Sequence, residues 1–213
     1  MKKWRVRILT GLVLLVAFVL LAGFVFFRLA NRTNGQITTS AGEQRSYYLY
    51  VPESYDPAVP TALILSMHGY ADWPAHHMDT TRWNELADEN GLIVVYPSGT
   101  RFPMRWRASN LSNEPSTSTE DIVFLSELID KLQAEYNIDP RRVYANGLSN
   151  GAGMSFVLSC NLSERIAAIG LVAGAYLYPW DSCNPARPVP AIVFHGTADP
   201  IVPFEGGPSR SFE

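Results

Sequence analysis

The stretch Arg142-Val-Tyr-Ala-Asn-Gly-Leu-Ser-Asn-Gly-Ala152 decides how the rest of the chain is read. Its centre, Gly147-Leu148-Ser149-Asn150-Gly151, has the form G-x-S-x-G. The residues before it, 142–146, read as a short strand, and those after it, 152–160, as a helix. A serine between a strand and a helix is pushed out of the sheet on a strained turn, where its hydroxyl can act as a nucleophile. Glycine two positions to either side removes the Cβ atoms that would clash at that turn. The five-residue pattern alone is weak, because small residues also cluster in ordinary turns; the flanking strand and helix give it weight.

Working outward, the neighbouring segments alternate between strand and helix. Arg45–Val51 alternates in polarity and stops at Pro52. Thr61–Met67 and Leu92–Tyr96 are continuous apolar runs, as expected of parallel strands buried on both faces. Residues 83–90 read as a helix closed by Gly91. In 119–136, Ile122, Leu125, Leu128, Ile129, Leu132 and Tyr136 fall at helical spacing, and Glu127 with Lys131 suggests an i,i+4 pair on the other face. Strands follow at 167–172 and 190–195. The alternation predicts an α/β fold with a mostly parallel sheet and helices on both faces. Between 98 and 117 lies a long irregular loop carrying Arg101, Arg105, Trp106 and Arg107, a length usually tied to function or mobility.

The chain has 213 residues, of which 47% are hydrophobic and 17% charged, enough for one sizeable core. Six of the 17 basic residues and none of the 20 acidic ones lie in residues 1–35, so the remainder carries 11 against 20, a charge of −9. An acidic domain without a basic patch argues against nucleic acid as a partner. Residues 8–27 carry no charge, and a 20-residue helix is about one hydrocarbon core long. With basic residues 1–7 in front, the reading is a cytoplasmic n-region, a membrane-spanning signal anchor at 8–27, a linker at 28–44 and a domain at 45–213 held outside the cell. The alternative is a long cleaved signal peptide and a secreted or periplasmic domain. Cys160 and Cys183 are the two cysteines; in an exported domain they favour a disulfide over a metal site, with two buried thiols as the alternative.

A serine needs a histidine as base and an acid to orient it. Asp199, in His195-Gly-Thr-Ala-Asp-Pro200, follows a buried strand. It therefore falls at the C-terminal edge of the sheet on the same side as Ser149, where catalytic groups of open α/β sheets gather. Asp181 and Asp121 are weaker candidates. The oxyanion hole requires two N–H groups: that of Asn150, next to the nucleophile, and one from the loop after 62–67, for which Tyr70 in His68-Gly69-Tyr70 is placed. His68 and His195 read as structural. His76 and His77, adjacent on an expected loop, lack further ligands, so neither a metal nor another cofactor is expected.

Taken together, Met67-His-Gly69, Leu86-Ala-Asp88 leading into Val94-Val-Tyr-Pro97, Asp121-Ile-Val-Phe124, Asp139-Pro-Arg-Arg-Val-Tyr144, the elbow, and His195-Gly-Thr-Ala-Asp199 resemble α/β-hydrolase esterases of the polyhydroxybutyrate depolymerase and feruloyl esterase type, over roughly residues 45–205. The resemblance implies the α/β-hydrolase fold, Ser149 and Asp199 as nucleophile and acid, and a disulfide after the nucleophile helix. It also implies an ester substrate, possibly polymeric: a polyhydroxyalkanoate, or a feruloyl or acetyl ester. A peptidase or a non-catalytic binding protein of the same fold are the rivals. The order Ser–Asp–His asks for a histidine after Asp199, and all four histidines precede it. The expectation is thus of a domain whose C-terminal elements are missing.

Overall fold

Among the described residues, seven strands form one sheet in the order β1-β2-β4-β3-β5-β6-β7. They are β1 (Gly35–Thr38), β2 (Gln44–Tyr50), β3 (Thr61–Met67), β4 (Ile93–Pro97), β5 (Ile138–Leu148), β6 (Ala168–Val172) and β7 (Ala191–Phe194). The computed structural model describes residues 2–107, 119–177 and 179–207; the last part of the long loop, 108–117, lies outside them. The sheet is parallel from β4 through β7, while β1 and β2 run antiparallel at the other end. Every residue of β3 is buried, as its unbroken apolar run requires.

Two apolar layers sandwich the central strands. On one face Leu63, Leu65, Met67 and Val95 meet α4 (Glu120–Glu135) and α5 (Asn150–Asn161). On the other, Ile64, Val94 and Tyr96 meet Met78 of α2 (Pro74–Thr81) and Ala87 of α3 (Trp83–Asn90). The stripe expected on α4 is buried at Leu125, Leu128, Ile129 and Leu132, joined by Phe124, with Ile122 and Tyr136 partly covered. The expected Glu127–Lys131 pair is absent. Lys131 pairs with Glu135 instead, and Glu127 accepts a hydrogen bond from the Ser40 backbone N–H.

Three features depart from the sequence reading. The span read as a linker contains β1, paired with β2; the bare Cα of Gly35 lets the Tyr47 ring lie where a Cβ would sit. The two adjacent histidines lie on α2, which Pro74 opens, and not on a loop. The third departure corrects the membrane anchor. Residues 2–30 do form a helix, α1 (Lys2–Ala30), within a separate unit, Met1–Arg32. Among the described residues, however, no helix is long and apolar enough to cross a membrane.

Candidate active site

The elbow is built by backbone before any side chain takes part. Ser149 ends the β5 run with φ 53° and ψ −115°, a conformation an L-residue holds only when its surroundings enforce it. Its N–H donates to Val172 O at 2.8 Å and its carbonyl accepts from Gly153 N–H at 3.1 Å. Both flanking glycines are obligatory. A Cβ on Gly147 would stand 2.3 Å from the backbone of Gly151, and one on Gly151 would stand 2.1 Å from Met67 O. The first turn of α5 is therefore pressed directly onto the end of β3. The Ser149 side chain is half-buried, and among the described residues its Oγ has no hydrogen-bond partner.

The loop after β3 runs beside this turn. A Cβ on Gly69 would be 3.8 Å from Ser149 Cβ, which sets Tyr70 one residue from the serine's flank. Ala71 takes a left-handed φ of 56°, and its N–H donates to Met104 O at 2.8 Å, while among the described residues the Tyr70 N–H has no partner. His68 is fully buried. Its Nε2 accepts from Gly99 N–H at 2.9 Å, so Nδ1 carries the proton and donates to Gly69 O at 2.7 Å. Burial lowers its pKa, and it stays neutral as a loop fastener.

Trp106 was expected only as part of a long loop, yet it is 1% exposed and touches both halves of the site. Its backbone N–H donates to Asn150 Oδ1 at 2.7 Å and its carbonyl accepts from Asn150 Nδ2 at 3.2 Å. Its indole Nε1–H donates to His68 O at 2.9 Å. The next residue, Arg107, donates its N–H to Asp121 Oδ2 at 2.7 Å, and Asp121 is in a buried ion pair with Arg45 at 2.7 Å. Arg45 also lies over the Phe124 ring at 4.1 Å. Asp121 is thereby committed to structure and withdrawn as an acid. No spacing rule signals these partners, because they are far apart in the chain.

Asp199 lies on the loop after β7, and backbone bonds across the sheet edge lead towards it: Ser149 N–H to Val172 O, then Ala173 N–H to Phe194 O at 2.9 Å. Its Oδ1 accepts from the N–H groups of Val202 (2.9 Å) and Ile201 (2.8 Å), which hold its pKa below the ordinary carboxylate value. Its Oδ2 is 3.6 Å from His195 Nε2, which donates to Val202 O at 2.8 Å. Asp181 is exposed in a short 3-10 turn, Trp180–Ser182.

The remaining histidines face elsewhere. His76 Nδ1 meets Asp72 Oδ1 at 2.7 Å on the exposed side of α2. His77 is buried, and its Nε2–H donates to Ser66 Oγ at 3.1 Å, which in turn donates to Asn146 Oδ1 at 2.9 Å. Among the described residues no three His, Cys, Asp or Glu side chains gather as metal ligands. Cys160 and Cys183 form a disulfide with a Cα–Cα distance of 4.7 Å, tying the end of α5 to the segment after β6. An apolar trough of about 680 Å³ follows the β5–β7 face past Leu148, Ile169, Ile192 and Phe194 but does not reach Ser149.

A serine hydroxyl on a strained turn, with amides of a helix start and a neighbouring loop beside it, can attack a carbonyl and hold the resulting oxyanion. Comparison with known proteins points the same way. Residues 45–189 match the family described as Esterase PHB depolymerase. A bifunctional acetylxylan esterase/xylanase of Neocallimastix patriciarum is 32% identical over 77% of this chain and 23% of its own length. A probable feruloyl esterase C of Aspergillus niger is 26% identical over 76% of this chain and 58% of its own. The solved structure of a thermostable esterase superposes with a TM-score of 0.63 at 22% identity, over 81% of this chain and 48% of that one, and shows a shared α/β-hydrolase-like fold. The chain thus spans roughly a quarter and roughly three fifths of the two relatives' lengths.

Proposed function

Because the chain belongs to the PHB depolymerase esterase family, we propose that it supplies the nucleophile and oxyanion hole of a serine carboxylic-ester hydrolase. The observation that carries this reading is the backbone of Ser149, held at φ 53° between β5 and α5 by glycines that admit no Cβ. Ser149 Oγ attacks the ester carbonyl as its proton passes to a histidine base, which returns it to the leaving alcohol, and the N–H groups of Asn150 and Tyr70 hold the oxygen as it becomes negative. Collapse expels the alcohol, and water then releases the acyl group from Ser149. Asp199, kept ionised by its backbone bonds, is the acid that orients the histidine base. His68, His76, His77 and His195 each have their ring engaged elsewhere, and none is assigned as that base.

The substrate class proposed is a polyhydroxyalkanoate-type, feruloyl or acetyl ester, by analogy with the family and with the names of the two relatives. The Cys160–Cys183 bridge supports an oxidising compartment and hence a secreted or periplasmic domain. The test is hydrolysis of p-nitrophenyl acetate, methyl ferulate and hydroxybutyrate oligomers by the full-length protein, with peptide anilides as rival substrates. Ser149→Ala should lower ester turnover by about 10⁶-fold while leaving the fold intact. Turnover retained in that variant, or a preference for anilides, would remove the esterase reading.

A further inference from the structure

Resting on that reading, we propose that Trp106 is a positioning residue that sets the distance between the two oxyanion donors. Those donors belong to different elements. Asn150 opens α5, whereas Tyr70 follows β3, so local chain geometry does not fix one against the other. Trp106 is bonded to both sides at once. Its main chain holds the Asn150 side-chain carboxamide through two reciprocal hydrogen bonds, and its indole N–H holds the carbonyl of His68, two residues before Tyr70. The same loop takes a third grip through Met104 O on Ala71 N–H, just past Tyr70. All three central residues are almost solvent-free, Trp106 at 1%, His68 at 0% and Asn150 at 5% exposure, so water does not compete for these bonds.

The bridge is itself held from behind. Arg107 N–H is bonded to Asp121, whose charge is matched by Arg45, so Trp106 is anchored to the head of α4 and to β2. The His68 ring lies 5.1 Å from the Trp106 ring and is pinned by Gly99, which leaves the loop no alternative seat. Burial obliges Trp106 to satisfy its backbone N–H, its carbonyl and its indole N–H, and it spends all three on the two segments that carry the donors. A misplaced oxyanion donor costs catalysis far more than it costs substrate binding, because the oxygen is charged only in the transition state.

The test uses the full-length protein and a fluorophosphonate probe, which bonds to Ser149 Oγ as fluoride leaves and needs the same oxyanion donors. Trp106→Phe keeps a ring beside His68 and removes the indole N–H. It should lower the maximal labelling rate about 10- to 100-fold, with the probe concentration for half-maximal rate changed less than twofold. Asn150→Ala cuts the bridge from the other side while keeping the backbone N–H, and should show the same split even if Trp106→Phe does not fold. Leu128→Ala, in the core of α4, serves as the control for destabilisation alone: it should lower the melting temperature and leave the labelling rate within twofold. Labelling of both bridge variants at the wild-type rate would overturn the positioning role and leave the esterase reading standing. No labelling of wild type at Ser149 would overturn both.

Discussion

β3 and β7 read alike as sequence, Thr61-Ala-Leu-Ile-Leu-Ser-Met67 and Ala191-Ile-Val-Phe194, and both look like strands buried on two faces. In the fold every residue of β3 is buried and every residue of β7 is exposed. The difference lies in position: β3 sits between β4 and β5 with helices above and below, whereas β7 is the edge strand, paired on one side with β6. The proposed catalytic groups divide along the same line. Ser149, Asn150 and Tyr70 are carried by β5, α5 and the loop after β3, where glycine contacts and buried hydrogen bonds allow no play. Asp199 follows the exposed strand and keeps its shape through a short turn of its own backbone. The proposed nucleophile is thus held by the core and the proposed acid by local chemistry.

The sharpest way to break this contrast is to cut the same kind of side chain from each strand. Leu63→Ala empties a fully buried site between two helices and should cost about 2–5 kcal/mol in urea unfolding. Val193 is 51% exposed, and Val193→Ala should cost under about 1 kcal/mol, mostly through strand preference. Equal losses at both positions would mean that the apolar face of β7 is covered in solution, and the comparison would fail.

Acid separates the two regions a second time. His77 clasps α2 to Ser66 of β3 in the buried half, and its burial pushes its pKa down to about 4, against opposition from Asp72 and with help from His68 and His76. The folded value lies below the free value of 6.5, so the unfolded chain binds the proton first. Stability is therefore complete above about pH 6.5 and declines as the pH falls towards 4, by about 3 kcal/mol in all. His68 is shifted in the same direction and adds to the slope. Asp199 is also depressed, but from the carboxylate value, so protonation reaches it only below pH 3.8. Denaturation midpoints measured from pH 7 to 4 should fall steadily in wild type and less in His77→Gln. A flat wild-type profile would show that His77 is reached by water.

What the sequence disclosed and what it hid follow from the range of the forces involved. The elbow, the central strands and the α4 stripe are written in short periods and in glycine positions, and each occurs where the residues placed it. Gly147 and Gly151 could be understood before their neighbours were known. The Arg45–Asp121 pair and the three bonds of Trp106 join residues 38 to 76 positions apart, and no local pattern encodes them. α2 was hidden because its cap residue, Trp73, makes no side-chain capping bond and its histidines disguise a buried face. The apolar run at 8–27 misled in the opposite sense: its composition implied a membrane span, and no helix among the described residues is long and apolar enough for one.

The smallest predicted effect concerns the one histidine that lies near the acid. His195 is four residues before Asp199, and its Nε2 is 3.6 Å from Asp199 Oδ2, a distance that invites its assignment as the base. Its geometry argues otherwise. The Nε2 proton is given to Val202 O at 2.8 Å, and that bond helps close the same turn in which Val202 and Ile201 donate to Asp199. His195 therefore shapes the loop that carries Asp199, and its Nε2 is engaged there. His195→Gln keeps an N–H able to reach Val202 O while removing the imidazole. Ester turnover by the full-length protein should fall less than about tenfold, with the pH profile of kcat unchanged in form, whereas loss of the triad base costs about 10⁶-fold. A loss of that size, or disappearance of the acidic limb of the profile, would make His195 the base. The exposed edge would then carry two members of the triad, and the division between a core-held nucleophile and a locally held acid would have to be redrawn around them.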